Sequence, residues 1–119
     1  MNDEVKRGES FVVSRHCDSG YHITELSYDD TKIWMHNEAL LVKKIEKPNS
    51  VTLATEYDDI VGFGKNEEEA LFSFARAFVR DWNAIVECTD NLLSMETLDK
   101  KHRLIKMVKE VKHGLHEDS

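Results

Sequence analysis

The stretch from Ile60 to Cys88, IVGFGKNEEEALFSFARAFVRDWNAIVEC, constrains this chain more than any other. It reads as a short strand, a glycine turn, a capped start and one long helix rich in Phe and Trp. Asn66 suits an N-cap, because its side-chain oxygen can accept from the free amides of a first helical turn. Glu69, three residues on, can reach back to the cap as in a capping box. Glu67 and Glu68 set negative charge against the positive end of the helix dipole. Gly62 and Gly64 permit a sharp reversal just upstream. Capping accounts for the three glutamates, so none is assigned acid–base chemistry.

Within that helix Leu71, Phe74, Ala75, Phe78, Trp82 and Ile85 fall at the i, i+3, i+4, i+7 spacing of one buried face. A second stripe, Phe72, Val79 and Val86, recurs every seventh residue. A helix apolar on two sides has two surfaces to cover. One belongs to a sheet. The other goes to the last helix or to a second copy, and for a homodimer Phe72, Val79 and Val86 would be the self-association seam. The polar side carries Ser73, Arg76, Arg80, Asp81 and Asn83.

Upstream, β-rich runs alternate with turn chemistry. Residues 1–9 are polar and read as a frayed end. Glu9 to Cys17 is a first strand, and Asp18-Ser19-Gly20 a turn. Tyr21 to Tyr28 follows, with Tyr21 and Ile23 in one phase and Leu26 and Tyr28 in the other; that change of phase predicts a bulge near Thr24–Glu25. Asp29-Asp30 turns the chain into Thr31–His36. Ala39–Glu46 runs from apolar to basic. Lys47-Pro48-Asn49-Ser50 is the clearest turn. Val51–Tyr57 alternates, with Val51, Leu53, Thr55 and Tyr57 expected inward and Thr52, Ala54 and Glu56 outward. Asp58-Asp59 turns into Ile60–Phe63. After the long helix, Thr89–Leu93 links to a second helix from Met95 to Val111, capped by Ser94 and stopped by Gly114. Its apolar face is Leu98, Leu104, Ile105, Val108, Val111 and Leu115; its basic face is Lys100, Lys101, Arg103, Lys106, Lys109 and Lys112.

The order is thus about five strands and then two helices. Strands joined by tight turns pair antiparallel, and helices covering one face complete the layers. The expected fold is α+β, an antiparallel meander over residues 9–63 with helices near 66–88 and 95–112, in a single domain of 119 residues.

The net charge is −7 and is unevenly placed. Residues 1–99 carry ten Lys/Arg against twenty Asp/Glu, or −10, and residues 100–119 carry six against three, or +3. An acidic body disfavours nucleic acid and favours a basic protein partner, or serves solubility alone. No signal-peptide pattern opens the chain, and no apolar run approaches the ~20 residues needed to cross a bilayer. Two cysteines, Cys17 and Cys88, make no disulfide framework and imply a cytoplasmic protein with reduced thiols.

Candidate chemistry is sparse. His16, Cys17 and His22 sit on neighbouring strands, but neither C-x-x-C nor H-E-x-x-H spacing is present, and His113 and His116 flank a helix-stopping glycine. The doublets Asp29-Asp30 and Asp58-Asp59 resemble paired carboxylates, yet both stand where turns need Asp. Adjacent strand residues such as His16 and Cys17 point to opposite faces, which separates a nucleophile from its base. No catalytic residue, metal ligand or cofactor site is assigned.

The segment Gly64-Lys65-Asn66-Glu67-Glu68-Glu69-Ala70-Leu71 resembles the G-x-[ST]-x-E-E-A-[LI] signature that opens the helix of HicB-like antitoxins. Asp18-Ser19-Gly20-Tyr21-His22-Ile23 is similar to that family's D-G-G-Y hairpin. The resemblance implies a partial RNase H-like fold, neutralisation of a small toxin partner, and oligomerisation. Here either residues 30–60 are inserted between hairpin and helix, or Ala39–Phe63 supplies the core hairpin and residues 9–36 an added one. No helix-turn-helix or ribbon pattern for DNA binding is legible. Small acidic immunity and anti-defence proteins of bacteria and phages share the size, charge and βα order.

The expected function is therefore a non-catalytic protein-binding module that neutralises another protein. The partner surface is expected on Arg76, Arg80 and Asp81 of the first helix, with Trp34 on the sheet, since Trp and Arg commonly anchor interfaces. The alternatives are a small metal-dependent hydrolase built on the Asp doublets and a structural homo-oligomer.

Overall fold

The structure, a computed structural model, describes residues 3–7, 10–18, 20–37, 39–57 and 59–113. The elements are β1 (Asp3–Arg7), β2 (Ser10–Cys17), β3 (Gly20–Tyr28), β4 (Thr31–Met35), β5 (Leu41–Lys47), β6 (Ser50–Thr55), β7 (Val61–Gly64), α1 (Glu67–Asp81), α2 (Met95–Met107) and β8 (Val108–His113). A π-helical turn, Trp82–Val86, extends α1, and a 3-10 turn, Asp90–Leu92, precedes α2. The class is α+β, an antiparallel meander followed by two C-terminal helices.

One bulge shapes the sheet. Val13 pairs with Glu25 and Ser14 with Ile23, so Thr24 is the extra residue, and its hydroxyl donates to the Val13 carbonyl at 3.2 Å. The slip returns Leu26 to the side that already holds Tyr21 and Ile23, and all three are at most 1% exposed. It also marks a fork. Gly20–His22 pair with β5, and Glu25–Tyr28 pair with β4. One wing continues through β5, β6 and β7, and the other through β4 and β8.

The concave side of the forked sheet holds the core. Val12, Leu26 and Ile33 form one cross-strand row there, and Leu53 and Val42 continue the core on the other wing. Leu71, Phe74, Ala75 and Phe78 of α1 pack onto it. The N-cap is the expected one: Asn66 Oδ1 accepts from the Glu69 amide at 2.9 Å. The returning Glu69 carboxylate takes the Lys65 amide at 3.0 Å, one residue before the cap. Ser94 caps α2 by accepting from the Thr97 amide.

Several expectations are corrected. Residues 3–7 are a strand on β2, where a frayed end was expected. The second helix stops at Met107, and residues 108–113 pair with β4. Val108 pairs with Met35 and Glu110 with Trp34, so Lys109 is a bulge that keeps Val108 and Val111 on one side. A three-residue spacing reads as helix in sequence; the open edge of β4 makes it strand. Tyr57 was expected inward and is 64% exposed, because β6 ends at Thr55 and Tyr57 lies in the following turn. Leu115 and Gly114 lie outside the described residues.

Gly62 and Gly64 do not make the reversal. They lie in β7 on the side against α1, and a Cβ on Gly62 would stand 2.4 Å from the Phe74 amide nitrogen and 2.5 Å from the Ala70 oxygen. The strand and helix backbones touch, which only glycine allows. Gly62→Ala is therefore expected to destabilise by about 2–3 kcal/mol or more, since neither backbone can retreat without unpacking the core. A denaturant melt that leaves the midpoint unchanged would refute the contact.

Candidate functional site

The concave side is consumed by packing, so function is sought on the other surfaces. The convex side of the β5–β7 wing carries the residues that alternate with its core positions. Val51 and Leu53 face the core at 5% and 0% exposure, whereas Ile45, Val61 and Phe63 are 49%, 45% and 62% exposed. Ile45 pairs with Thr52 and Thr52 with Phe63, so they form one row roughly 10 Å across. Lys43, Ala54 and Val61 form the adjacent row. Three large apolar side chains from two separate strands are thus exposed on one side of the sheet, with Thr52 between Ile45 and Phe63.

A second constellation holds α2. Asp59, in the β6–β7 turn, accepts from the Thr55 hydroxyl and pairs with Arg103 at 2.6 Å. Thr55 Oγ1 in turn accepts the Asp59 and Ile60 amides at 3.1 and 3.2 Å. The Arg103 guanidinium lies 4.6 Å from the Tyr57 ring centroid. Lys100 donates to the Asp59 carbonyl at 2.8 Å and to Asp81 at 2.7 Å. Lys101 reaches the Cys88 carbonyl and Asp90, each at 2.7 Å. Lys100, Lys101 and Arg103 of the basic face are thus what docks α2, which fully buries only Leu104.

Burial pushes the Asp59 carboxyl up, but the Thr55 hydroxyl, the Arg103 hydrogen bond and charge, and its own backbone amide outweigh this and hold it below its ordinary value. A carboxylate so held is a poor proton donor or base near neutral pH. The adjoining cleft, about 60 Å³ between Leu40, Thr55, Ile60, Arg103 and Leu104, is far below the ~300–1,000 Å³ of small-molecule sites. This cluster is a clasp.

A third arrangement imitates a nucleophile–base–acid relay. Thr31 Oγ1 lies 3.2 Å from His113 Nδ1, and His113 Nε2 lies 3.2 Å from Glu87 Oε2. Thr31, however, is 2% exposed, so no substrate reaches its hydroxyl. The set fastens β8 to β4 and to the end of α1. Of the metal candidates, His16 shares the concave side with Tyr21, its partner across the strands, with ring centroids 4.8 Å apart. Cys17 and His22 take the convex side, so the three do not converge. Among the described residues no three His, Cys, Asp or Glu side chains form a metal-binding group. Asp58 and His116 lie outside the described residues, and Asp29 sits in a turn at φ 60°, a conformation Asp tolerates.

The expected partner residues do not form one surface. Trp34 is on the convex side of β4, half-buried, with Lys32 Nζ 4.9 Å from its ring and 5.1 Å from that of Phe11. Arg76 and Arg80 are exposed on α1, which lies across the concave side. Asp81 is tied to Lys100. The proposed seam is covered within the chain: Phe72 is 6% and Val79 4% exposed, and Val86 packs against the core. Phe63 and Ile45 were not singled out from sequence. The signal was the alternation around Gly62 and Gly64: once both glycines face the helix, Val61 and Phe63 must face away.

The clasp has a pH signature. A depressed carboxyl stabilises the fold above its unfolded-state value, about 4, and that contribution is lost as pH falls through the folded-state value. Thermal melts are expected to lose stability on acidification below about pH 4, with part of that slope absent in Asp59→Ala. That variant is expected to be less stable by about 1–3 kcal/mol at neutral pH. An unchanged slope and melt would show that Asp59 does not hold α2.

Comparison with family models, with curated proteins and with solved structures finds no match to this chain.

Proposed function

We propose that this protein is a non-catalytic binding module that docks and neutralises another protein, in the manner of an antitoxin or immunity protein, through the convex side of the β5–β7 wing. The observation that carries this reading is the exposure of Ile45, Val61 and Phe63 together on one side of the sheet. Scattered exposed apolar residues are ordinary, but a contiguous cluster with a polar surround is the mark of an interaction site. An aromatic centre with aliphatic neighbours is the composition of an interface core.

Other features support the same reading. The acidic doublet Asp58-Asp59 supplies Asp59 to a clasp, which removes it from a hydrolytic role. The seam that a homodimer would use is already inside the fold. The sequence from Gly64 to Leu71 resembles the helix-opening signature of HicB-like antitoxins, whose role is of this kind, and two unlinked thiols suit a cytoplasmic setting. No helix among the described residues is long and apolar enough to cross a membrane.

The test is a comparison of two surface variants. Tagged wild type, Phe63→Ser, and the double variant Arg76→Glu/Arg80→Glu are incubated with lysate of the native host, and a retained protein is purified and rebound. Phe63→Ser is expected to weaken rebinding by about tenfold or more, as truncating an interface anchor does. The helix variant is expected to bind as wild type. Retention lost only with the helix variant would move the interface to α1, and no stoichiometric protein with a folded bait would end the reading.

A further inference from the structure

Resting on the reading of the β5–β7 convex surface as a protein-docking site, we infer that its partner presents an acidic segment bearing a large apolar side chain. The chain as a whole is acidic, at −7. This surface is not. Lys47 stands in the same alternation as Ile45 on β5, and the strand positions facing this way on β6 and β7 include no Asp or Glu. Lys65 follows β7 directly and is exposed. The acids of the same region lie on the other side. Glu46 is 3.8 Å from Lys44, and Lys44 reaches Glu67 of α1 at 3.4 Å. The sheet thus sorts charge by strand parity and leaves an apolar centre edged by lysines.

That arrangement selects its occupant. A second copy in a two-fold contact would set lysines against lysines, which opposes self-association here. Strand addition to β7 is blocked at its middle, because the Phe63 amide already donates to Ser73 Oγ at 3.0 Å. Contact must therefore be made by side chains on the sheet surface. A polynucleotide is the weaker fit: one aromatic, Phe63, stands between aliphatic neighbours, where single-strand binders line up several rings in a basic groove. A short acidic peptide segment meets the lysines with its carboxylates and places its apolar side chain among Ile45, Val61 and Phe63. Complementary charge of this kind steers encounter and fixes orientation.

The probe is a random peptide display library selected on the wild-type protein and counter-selected on Phe63→Ser. The expected enrichment is in Asp and Glu flanking Phe, Leu, Ile or Trp. An enriched peptide is expected to shift the amides of Ile45, Thr52, Val61 and Phe63 in ¹⁵N spectra of the wild type. Its affinity is expected to fall about tenfold in Lys47→Glu/Lys65→Glu and to weaken as salt is raised. Both lysines and Phe63 are exposed, so the variants are expected to melt as wild type. Enrichment of basic or uncharged peptides at the same amides would overturn the acidic partner and leave the docking site standing. No peptide distinguishing wild type from Phe63→Ser would overturn both. A thymidine or uridine oligonucleotide shifting the same amides with higher affinity than the best peptide would overturn the acidic partner in favour of nucleic acid.

Discussion

The contact between the backbones of β7 and α1 is the constraint on which the rest of the structure depends. Gly62 and Gly64 remove the side chains that would hold strand and helix apart. The helix then lies low enough for Ser73 to take the Phe63 amide and for Leu71, Phe74 and Phe78 to reach across to β2 and β3. The same two glycines decide the exposure of their neighbours. With positions 62 and 64 against the helix, Val61 and Phe63 are turned to solvent by the alternation of a strand. Packing economy on one side of β7 thus produces the apolar surface on the other.

The two helices are held by different physics. α1 is seated by apolar burial, with seven of its residues buried. α2 buries one, and its attachment runs through Lys100, Lys101 and Arg103 onto Asp59, Asp81, Asp90 and a free carbonyl at Cys88. Ion pairs at the surface contribute little singly, but here the Lys100 and Lys101 side chains are mostly buried, each lysine bonds two acceptors, and Asp59 is backed by the Thr55 hydroxyl. Three of the six basic groups of residues 100–119, Lys100, Lys101 and Arg103, are thus paired within the chain. Lys47 and Lys65, on and beside the β5–β7 convex surface, are exposed, as are Arg76, Arg80, Lys106, Lys109 and Lys112 on other surfaces.

Much of the fold was legible in the sequence where the signal was local. Asn66 and Ser94 cap their helices as residue type and spacing indicate, and the phase change in YHITELSY marks the bulge at Thr24. The candidate site was not legible in this way. Trp34 drew attention as a tryptophan, but its ring is occupied by Lys32 and its place in the β4 wing puts the whole sheet between it and Arg76 and Arg80. Phe72 and Val79 looked like a seam because a helical wheel cannot show that the sheet curls far enough to cover a second stripe. Val108 and Val111 fit a helix and a bulged strand equally well, and only the unpaired edge of β4 decided between them.

The sequence by itself determined the strands between Ser10 and Gly64, the helix starts, the bulge and the turns, because each depends on hydrogen bonds and steric limits among residues a few positions apart. The tertiary structure decided which strands fork from β3, that Lys100, Lys101 and Arg103 of α2 turn inward, and that Ile45, Val61 and Phe63 share one side of the sheet. Those outcomes depend on register between strands distant in the chain, on which edge lies open, and on where a carboxylate waits for a lysine. Energies of that kind are set by proximity in space, and no spacing within one segment encodes it.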